Sequence, residues 1–370
     1  MRLFFSPAPA WQKHISGAGS GAFLMDSFSF SEPLKLDPFL TLPDRVLPAP
    51  MEGVMTPVFC RAAMELGMVR TWMTPFVPVN REGVPARSVF RKHIAPFLRN
   101  NPGYPVIVQL LGHDPGSLAE AGRCLRGLGV RAVNLNFACP SPTVLSSGNG
   151  GACLKDPVLM AEICTAVAEA VPDVSLSVKL RTGWESSSET GTLFKALQNT
   201  GISLLICHFR TVREAYAPVP AAEALTRLAR AVDSAEGLPL FGNGDILTPE
   251  HAFLMRKKTC CAGVAVGRGM LQDPFLLNRI RSSGKAEEDP ENPSGIVPRT
   301  APEDRLVFLK TVYRLSREEG FGGRWLKTAF LQYARMTFGE DSSPEFRRIL
   351  SMEQKELEDY LGYCGTDSES

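Results

Sequence analysis

The sequence has no C-x-x-C pair, no cysteine–histidine spacing of the zinc-site kind, and only five histidines in 370 residues. A zinc-dependent fold or reaction is therefore not expected, and no metal centre is expected. Apolar runs of ~18 residues, the length a spanning helix needs, are missing as well. The opening MRLFFSPAPAWQKHIS makes a poor secretory leader, because Pro7 and Pro9 break its short apolar patch. Nine cysteines at irregular spacing, an odd number, suit reduced thiols better than a disulfide framework. These absences point to a soluble, cytoplasmic protein without a membrane partner. Strong charge of either sign is lacking too: the formal net charge is +1, so any binding of a polyanion must come from a local basic surface.

What is present is an ordinary globular balance, 44% hydrophobic and 21% charged, enough for a sizeable core. Residues 1–44 are rich in Ser, Gly, Pro and Phe without periodicity and read as a flexible N-terminal extension. From residue 45 short apolar runs alternate with helical patterns. Windows at 45–50, 69–74, 105–112, 132–140, 174–181, 203–210, 238–245 and 262–269 read as strands. Eight strands with intervening helices over 45–283 fit an α/β fold, the (β/α)8 TIM barrel, usually ~250 residues long. A doubly wound sheet is the alternative, but its early G-x-G-x-x-G fingerprint is missing. Residues 284–302 are polar and proline-rich and read as a linker. Residues 303–364 show helical periodicity, clearest in GRWLKTAFLQYARMTFG at 323–339, and predict a small helical domain.

In such a barrel, chemistry gathers where strands end. Seven of the eight ends carry distinctive residues: Pro50 and Met51, Gln109, Asn136 and Cys139, Lys179 and Arg181, His208 and Arg210, Asn243 and Asp245, and Gly267 and Arg268. Lysine and arginine there are costly unless paired or holding an anion. Glycines beside Arg268 suit close approach of backbone to a phosphate. Cys139 stands apart, a thiol at a strand end followed by Pro140 and a loop with Gly148, Gly150 and Gly151. That loop is read as admitting a bulky substrate or folding over it. A lone strand-end cysteine is more often a small buried hydrophobe, and Cys153 is a rival for any thiol chemistry. Lys179 has an alternative as a Schiff-base lysine.

The motifs APMEGV (49–54), VQLLG (108–112), LNFACPSPTV (135–144), SVKLRTGW (177–184), HFRTVREAY (208–216), GNGDI (242–246) and VGRGMLQDP (266–274) together resemble the ordered motifs of the tRNA-dihydrouridine synthases. Among bacterial members the chain looks most like the C subclass, which acts on D-loop uridine 16. The resemblance implies an FMN-dependent oxidoreductase that reduces a D-loop uridine of tRNA to 5,6-dihydrouridine with NADPH. It implies that Pro50, Met51, Gln109, Lys179, His208, Asn243, Asp245, Gly267 and Arg268 hold the cofactor, and that Asn136, Arg181 and Tyr216 face the uracil. Cys139 is then the general acid that protonates C5 after hydride reaches C6. Three departures stand out: Ala138 and Phe209 each replace a glycine of the family pattern, and residues 151–157 run one residue short.

A tRNA partner needs a local grip. Residues 305–348 hold nine Lys/Arg against five Asp/Glu, with Arg324, Lys327 and Arg335 as candidate phosphate contacts. Residues 81–99 hold five against one, with Arg91 and Lys92 foremost. Solvated surface faces are the bland reading of both clusters. No protein partner is implied, and a monomer is expected. Two competing functions remain open on the sequence: an FMN barrel reducing a free pyrimidine or an enone, and an inactive tRNA-binding relative.

Overall fold

The structure is a computed structural model that describes residues 28–79, 94–99, 103–283, 302–320, 344–352 and 354–360. A small hairpin comes first, β1 (Leu34–Lys35) against β2 (Thr41–Leu42). Then follow β3 (Val46–Pro48), β4 (Trp72–Met73), β5 (Val77–Pro78), β6 (Val106–Leu111), β7 (Ala132–Phe137), β8 (Ser175–Arg181), β9 (Leu204–His208), β10 (Leu240–Asn243) and β11 (Gly263–Val266). Eight of these pair in parallel in the order β3-β11-β10-β9-β8-β7-β6-β4, with β5 also on β6. The order brings β4 back beside β3 in a nearly closed barrel ringed by helices. Each expected strand window contains one barrel strand, trimmed at its ends.

The helices start where the sequence writes a cap followed by proline. Thr56, Asp114 and Asp156 each precede a proline, and their side-chain oxygens accept the N–H of Phe59 (3.2 Å), Ser117 (2.9 Å) and Leu159 (3.0 Å). Proline at the first helical position forfeits no helical hydrogen bond, and the cap satisfies a donor the helix cannot. Helices Pro57–Glu65, Pro115–Gly127 and Pro157–Ala170 follow from this pattern.

Strand residues alternate in destination. Val108, Leu110, Val133, Leu135, Leu176 and Val178 face the helices in one large core. Leu47, Met73, Ile107, Ala132, Leu204, Ile206, Phe241 and Ala265 form a separate cluster inside the barrel. Leu40 and Leu42 join that interior cluster, with Leu34 and Leu36 packed on it. The hairpin therefore closes the barrel floor, at the N-terminal ends of the strands. This corrects the expected boundary: from residue 28 the segment read as a flexible extension is built into the fold, with Phe30 also buried. Residues 1–27 lie outside the described part.

Helix Pro302–Glu318 lies against helix Pro57–Glu65. Phe308 meets Phe59 edge-on at 5.2 Å between centroids, and Arg61 pairs with Glu318 at 2.9 Å. Arg314 pairs with Glu65 and, at 2.6 Å, with Glu318. Two shorter helices follow, Pro344–Ser351 and Gln354–Tyr360. Segment 323–339 and nearly all of the expected linker fall outside the described residues. Among the described residues no helix is long and apolar enough to cross a membrane.

Candidate active site at the barrel mouth

Parallel register stacks the polar strand-end residues at one level. Asn136 stands opposite Lys179, Arg181 opposite His208, and His208 opposite Asn243. All continue the inward-facing period of their strands, so they crown the interior cluster at the end opposite the hairpin.

Cys139 sits two residues beyond β7 and is half-buried. Its backbone is tied on three sides. Asn136 Oδ1 accepts the N–H of both Ala138 and Cys139 at 3.0 Å. The Cys139 carbonyl accepts the Gly151 N–H at 3.0 Å. Arg181 Nε donates to the Ala138 carbonyl at 2.8 Å. Burial pushes the thiol up from its ordinary range, opposed by the Ser141 N–H and by the charges of Lys179 and Arg181. The group therefore stays protonated at neutral pH.

The glycine loop has a different use from the one expected. A Cβ on Gly150 would lie 2.8 Å from Val144 Cγ1 and 3.0 Å from Cys139 Cβ, and its φ is +60°. One on Gly151 would lie 2.7 Å from Val212 Cγ2 and 3.0 Å from the Cys139 carbonyl oxygen. Both glycines are buried. They let the loop press against the Cys139 turn, so the loop is a brace and not an entry for substrate. Cys153, the rival thiol, is buried, donates to the Gly148 carbonyl at 3.5 Å and is pushed up to about 12 by burial. It has no access to a substrate.

Lys179 is half-buried and has no hydrogen bond or ion pair with any described residue. Burial first, then the Arg181 charge, lowers it to about 8. His208 is half-buried, and its Nδ1 accepts the Arg210 N–H at 3.1 Å. The ring proton is therefore on Nε2. Burial and the charges of Arg181, Lys179, Arg210 and Arg268 hold His208 neutral, well below the usual histidine range. Arg268 is partly exposed and pairs with Asp245 at 2.6 Å. Pro50 and Met51 line the same rim after β3, and the Met51 sulfur lies 3.8 Å from where a Gly267 Cβ would be.

Several expected contacts are spent on the protein itself. Gln109 is fully buried below the rim, between Asn136 and Asn134. Asp245 is not a free cofactor ligand: it takes a two-pronged grip from Arg210 (3.0 and 2.6 Å) besides Arg268. Asn243 donates to the Ala265 carbonyl at 2.7 Å. Arg181, expected to face a pyrimidine, also donates from Nη1 to the carbonyls of Thr211 (2.9 Å) and Ala215 (2.8 Å), leaving Nη2 without a described partner. Tyr216 is half-exposed, with both Arg181 and Arg268 5.9 Å from its ring centre. Phe209 does not crowd the rim. It is buried on the helix side of β9, against the bare face of Gly244, where a Cβ would come within 2.4 Å of the ring. Arg91, Lys92, Arg324, Lys327 and Arg335 lie outside the described residues. Sequence reasoning missed Asn134, Ser177 and the role of Arg210. The first two were signalled by polar residues at alternate positions of otherwise apolar strands.

The mouth is thus a half-buried thiol facing a rim of donors: the Lys179 amine, the His208 Nε2–H, Arg181 Nη2 and Arg268. Its buried carboxylate, Asp245, is saturated by two arginines. A family model described as dihydrouridine synthase matches residues 47–358. The chain belongs to the dihydrouridine synthase family. Family membership makes it a flavin-dependent oxidoreductase. It is 32% identical over 244 residues to a protein named tRNA-dihydrouridine(16) synthase from Pseudomonas syringae pv. tomato, covering 65% of this chain and 75% of that one. A protein of the same name from Ralstonia nicotianae is 31% identical, covering 76% and 86%. A tRNA-dihydrouridine synthase B from Pseudomonas aeruginosa is 32% identical, covering 67% and 71%. Names of both kinds match this dihydrouridine synthase equally well, so the C-subclass expectation gains no support. A 2-naphthoyl-CoA reductase structure superposes with a TM-score of 0.54 at 12% identity, covering 77% of this chain and 56% of that one, and shares the barrel fold alone.

Proposed function

We propose that this protein reduces a D-loop uridine of tRNA to 5,6-dihydrouridine, with FMN as the resident flavin and NADPH as the source of electrons. The observation that carries the reading is the placement of the protonated Cys139 thiol beside a rim made of hydrogen-bond donors. A rim dominated by donors, with Glu52 as the carboxylate whose charge reaches the sulfur, suits a ligand rich in acceptors, such as a flavin phosphate or the two carbonyls of a uracil. The residues present therefore fit the cofactor. Lys179 and His208 would donate to it, Arg268 would meet its phosphate beside Gly267, and Pro50 and Met51 would flank it. When bound, the flavin supplies hydride to C6 of the uracil.

The chain's own part is binding, orientation and one proton. Arg181 Nη2 and Tyr216 would hold the edge and the face of a pyrimidine. Cys139 delivers its thiol proton to C5, leaving a thiolate that bulk water reprotonates. A positioned acid of this kind contributes roughly 10²–10⁴-fold. Lys179 and Arg181 keep the transient thiolate from being costly by their charge. The target base must leave its stack to reach this depth, as base-modifying enzymes require.

The test is direct. Purified protein with FMN and NADPH is given unmodified tRNA, and dihydrouridine is quantified and mapped by nuclease digestion and mass spectrometry. Product in tRNA, at one D-loop position and not in free uridine, supports the reading. NADPH oxidation without any dihydrouridine in tRNA defeats it.

A further inference from the structure

Beneath the mouth lies a chain of buried amides that no surface feature discloses. Ser177 Oγ donates to the Val133 carbonyl at 3.1 Å. Asn134 Nδ2 donates to Ser177 Oγ at 2.9 Å. Gln109 Nε2 donates to Asn134 Oδ1 at 2.7 Å. Asn136 Nδ2 donates to Gln109 Oε1 at 2.8 Å. The chain ends where Asn136 Oδ1 receives the Ala138 and Cys139 N–H groups, both at 3.0 Å. It crosses β8, β7 and β6, and its four side chains are buried.

The polarity of every link is forced. The Asn136 atom that faces two backbone N–H groups must be oxygen. Its amino group then faces Gln109 and requires oxygen there. Gln109 must in turn present its amino group to Asn134, whose amino group then needs the Ser177 oxygen. From the other end, the Val133 carbonyl can only accept, so the Ser177 proton points to it. Both ends dictate one direction, and no side-chain atom of the four is left unpaired. A reversed amide at any link would set donor against donor.

We propose that this relay is a positioning device for the catalytic turn: Ser177 and Asn134, far below the substrate, set the amide orientation of Asn136 and thereby the placement of the Cys139 thiol. The proposal rests on the reading of Cys139 as proton donor. The Ser177 and Asn134 side chains are both spent on protein partners below the rim. Removing the Ser177 hydroxyl leaves the Asn134 amino group without its acceptor, and buried amides re-orient when a partner is lost. The disturbance passes upward because each amide has the next as its partner. At the top it loosens the turn in which the Ser141 N–H steadies the sulfur. The charged groups facing that sulfur are Lys179, Arg181 and Glu52, and none of them belongs to the relay.

The experiment uses the full-length, flavin-loaded protein and the variants Ser177→Ala, Ser177→Thr and Asn134→Ser. Three quantities are read: NADPH reduction of bound flavin, uridine reduction in tRNA, and the pH dependence of Cys139 alkylation by iodoacetamide, followed by mass spectrometry. Ser177→Ala is expected to slow uridine reduction about tenfold or more, since a small misplacement of a reacting group costs up to ~10²-fold. The alkylation midpoint moves to higher pH, flavin reduction stays within about twofold, and Ser177→Thr, which keeps the hydroxyl, restores both. Asn134→Ser, too short to reach Gln109, gives the same pattern if Ser177→Ala does not fold. An unchanged alkylation profile with wild-type uridine reduction overturns the relay. So does an equal loss of both half-reactions with alkylation unmoved, which marks a packing role only. Full turnover by Cys139→Ala would instead defeat the proton-donor reading, while alkylation of Cys139 in the relay variants would still report on the turn.

Discussion

Arg181 Nε donates to the carbonyl of Ala138 at 2.8 Å, one residue before the thiol. A guanidinium from β8 thus fixes the loop after β7, and it also holds the carbonyls of Thr211 and Ala215 beyond β9. Two loops that border the mouth, those after β7 and β9, share one side chain. Burial lowers Arg181 to about 10, still well above neutrality, so its charge persists there. Replacing it by methionine strips three carbonyls of a donor, each costing about 1–3 kcal/mol when buried. Arg181→Met should lose roughly 3 kcal/mol or more of stability in urea titration, together with uridine reduction. A variant of wild-type stability would show that these contacts do not hold the loops.

Cys139→Ala should retain flavin and its reduction by NADPH but lose uridine reduction by about 10²–10⁴-fold. Cys153→Ala should keep turnover within about threefold, because its thiol is enclosed and bonded to backbone carbonyls. Stopped-flow absorbance separates the two half-reactions. The reverse pattern would transfer the proton-donor role to Cys153.

Lys179 gives a pH signature. With the mouth empty its amine titrates at about 8, and an anionic flavin beside it raises that value. Flavin affinity should therefore be full below about pH 8 and fall towards tenfold per pH unit above it, until the raised value of the complex is passed. Lys179→Met should bind more weakly and show no such slope. Equilibrium fluorescence titration of FMN across pH 6–10 (a range taken about the ordinary lysine value) is the measurement, and a flat profile for the unaltered protein would contradict the assignment.

Gly150→Ala and Gly151→Ala test the brace. The first forces a side chain into a left-handed backbone, about 1–2 kcal/mol, and both push a methyl into Val144 or Val212, about 1–3 kcal/mol. Each should lower the melting temperature and slow uridine reduction more than flavin reduction. Gly129→Ala, with nothing within 4 Å of its Cβ at φ +87°, carries only the backbone penalty and is the control.

Asp245→Asn should cost about 3–5 kcal/mol, since it leaves Arg210 buried without its counter-charge. The same change frees Arg268 and weakens its hold on a phosphate. Calorimetry and FMN titration report the two effects separately.

The strands were legible because buried parallel strands are written as short β-branched runs, and the mouth was legible because charged residues interrupt those runs at their ends. That much placed Cys139, Lys179 and His208 at strand ends, while their roles came from the resemblance to a family. Which way a buried amide spends its hydrogen bonds was not legible. Gln109 and Asp245 look like ligands in one dimension, and only the register of β6 with β7 and the reach of Arg210 reveal their partners. The floor escaped for another reason. Strands of two residues carry no period, so Leu40 and Leu42 look like incidental loop leucines.

That floor has a kinetic consequence. With hairpin leucines and the packed interior cluster filling the far end, the described residues leave one approach, at the C-terminal ends of the strands. On the proposed reading, nicotinamide and nucleic acid must queue for it, each departing before the other arrives. Double-reciprocal plots at varied NADPH and tRNA should then give parallel lines, the mark of a ping-pong enzyme.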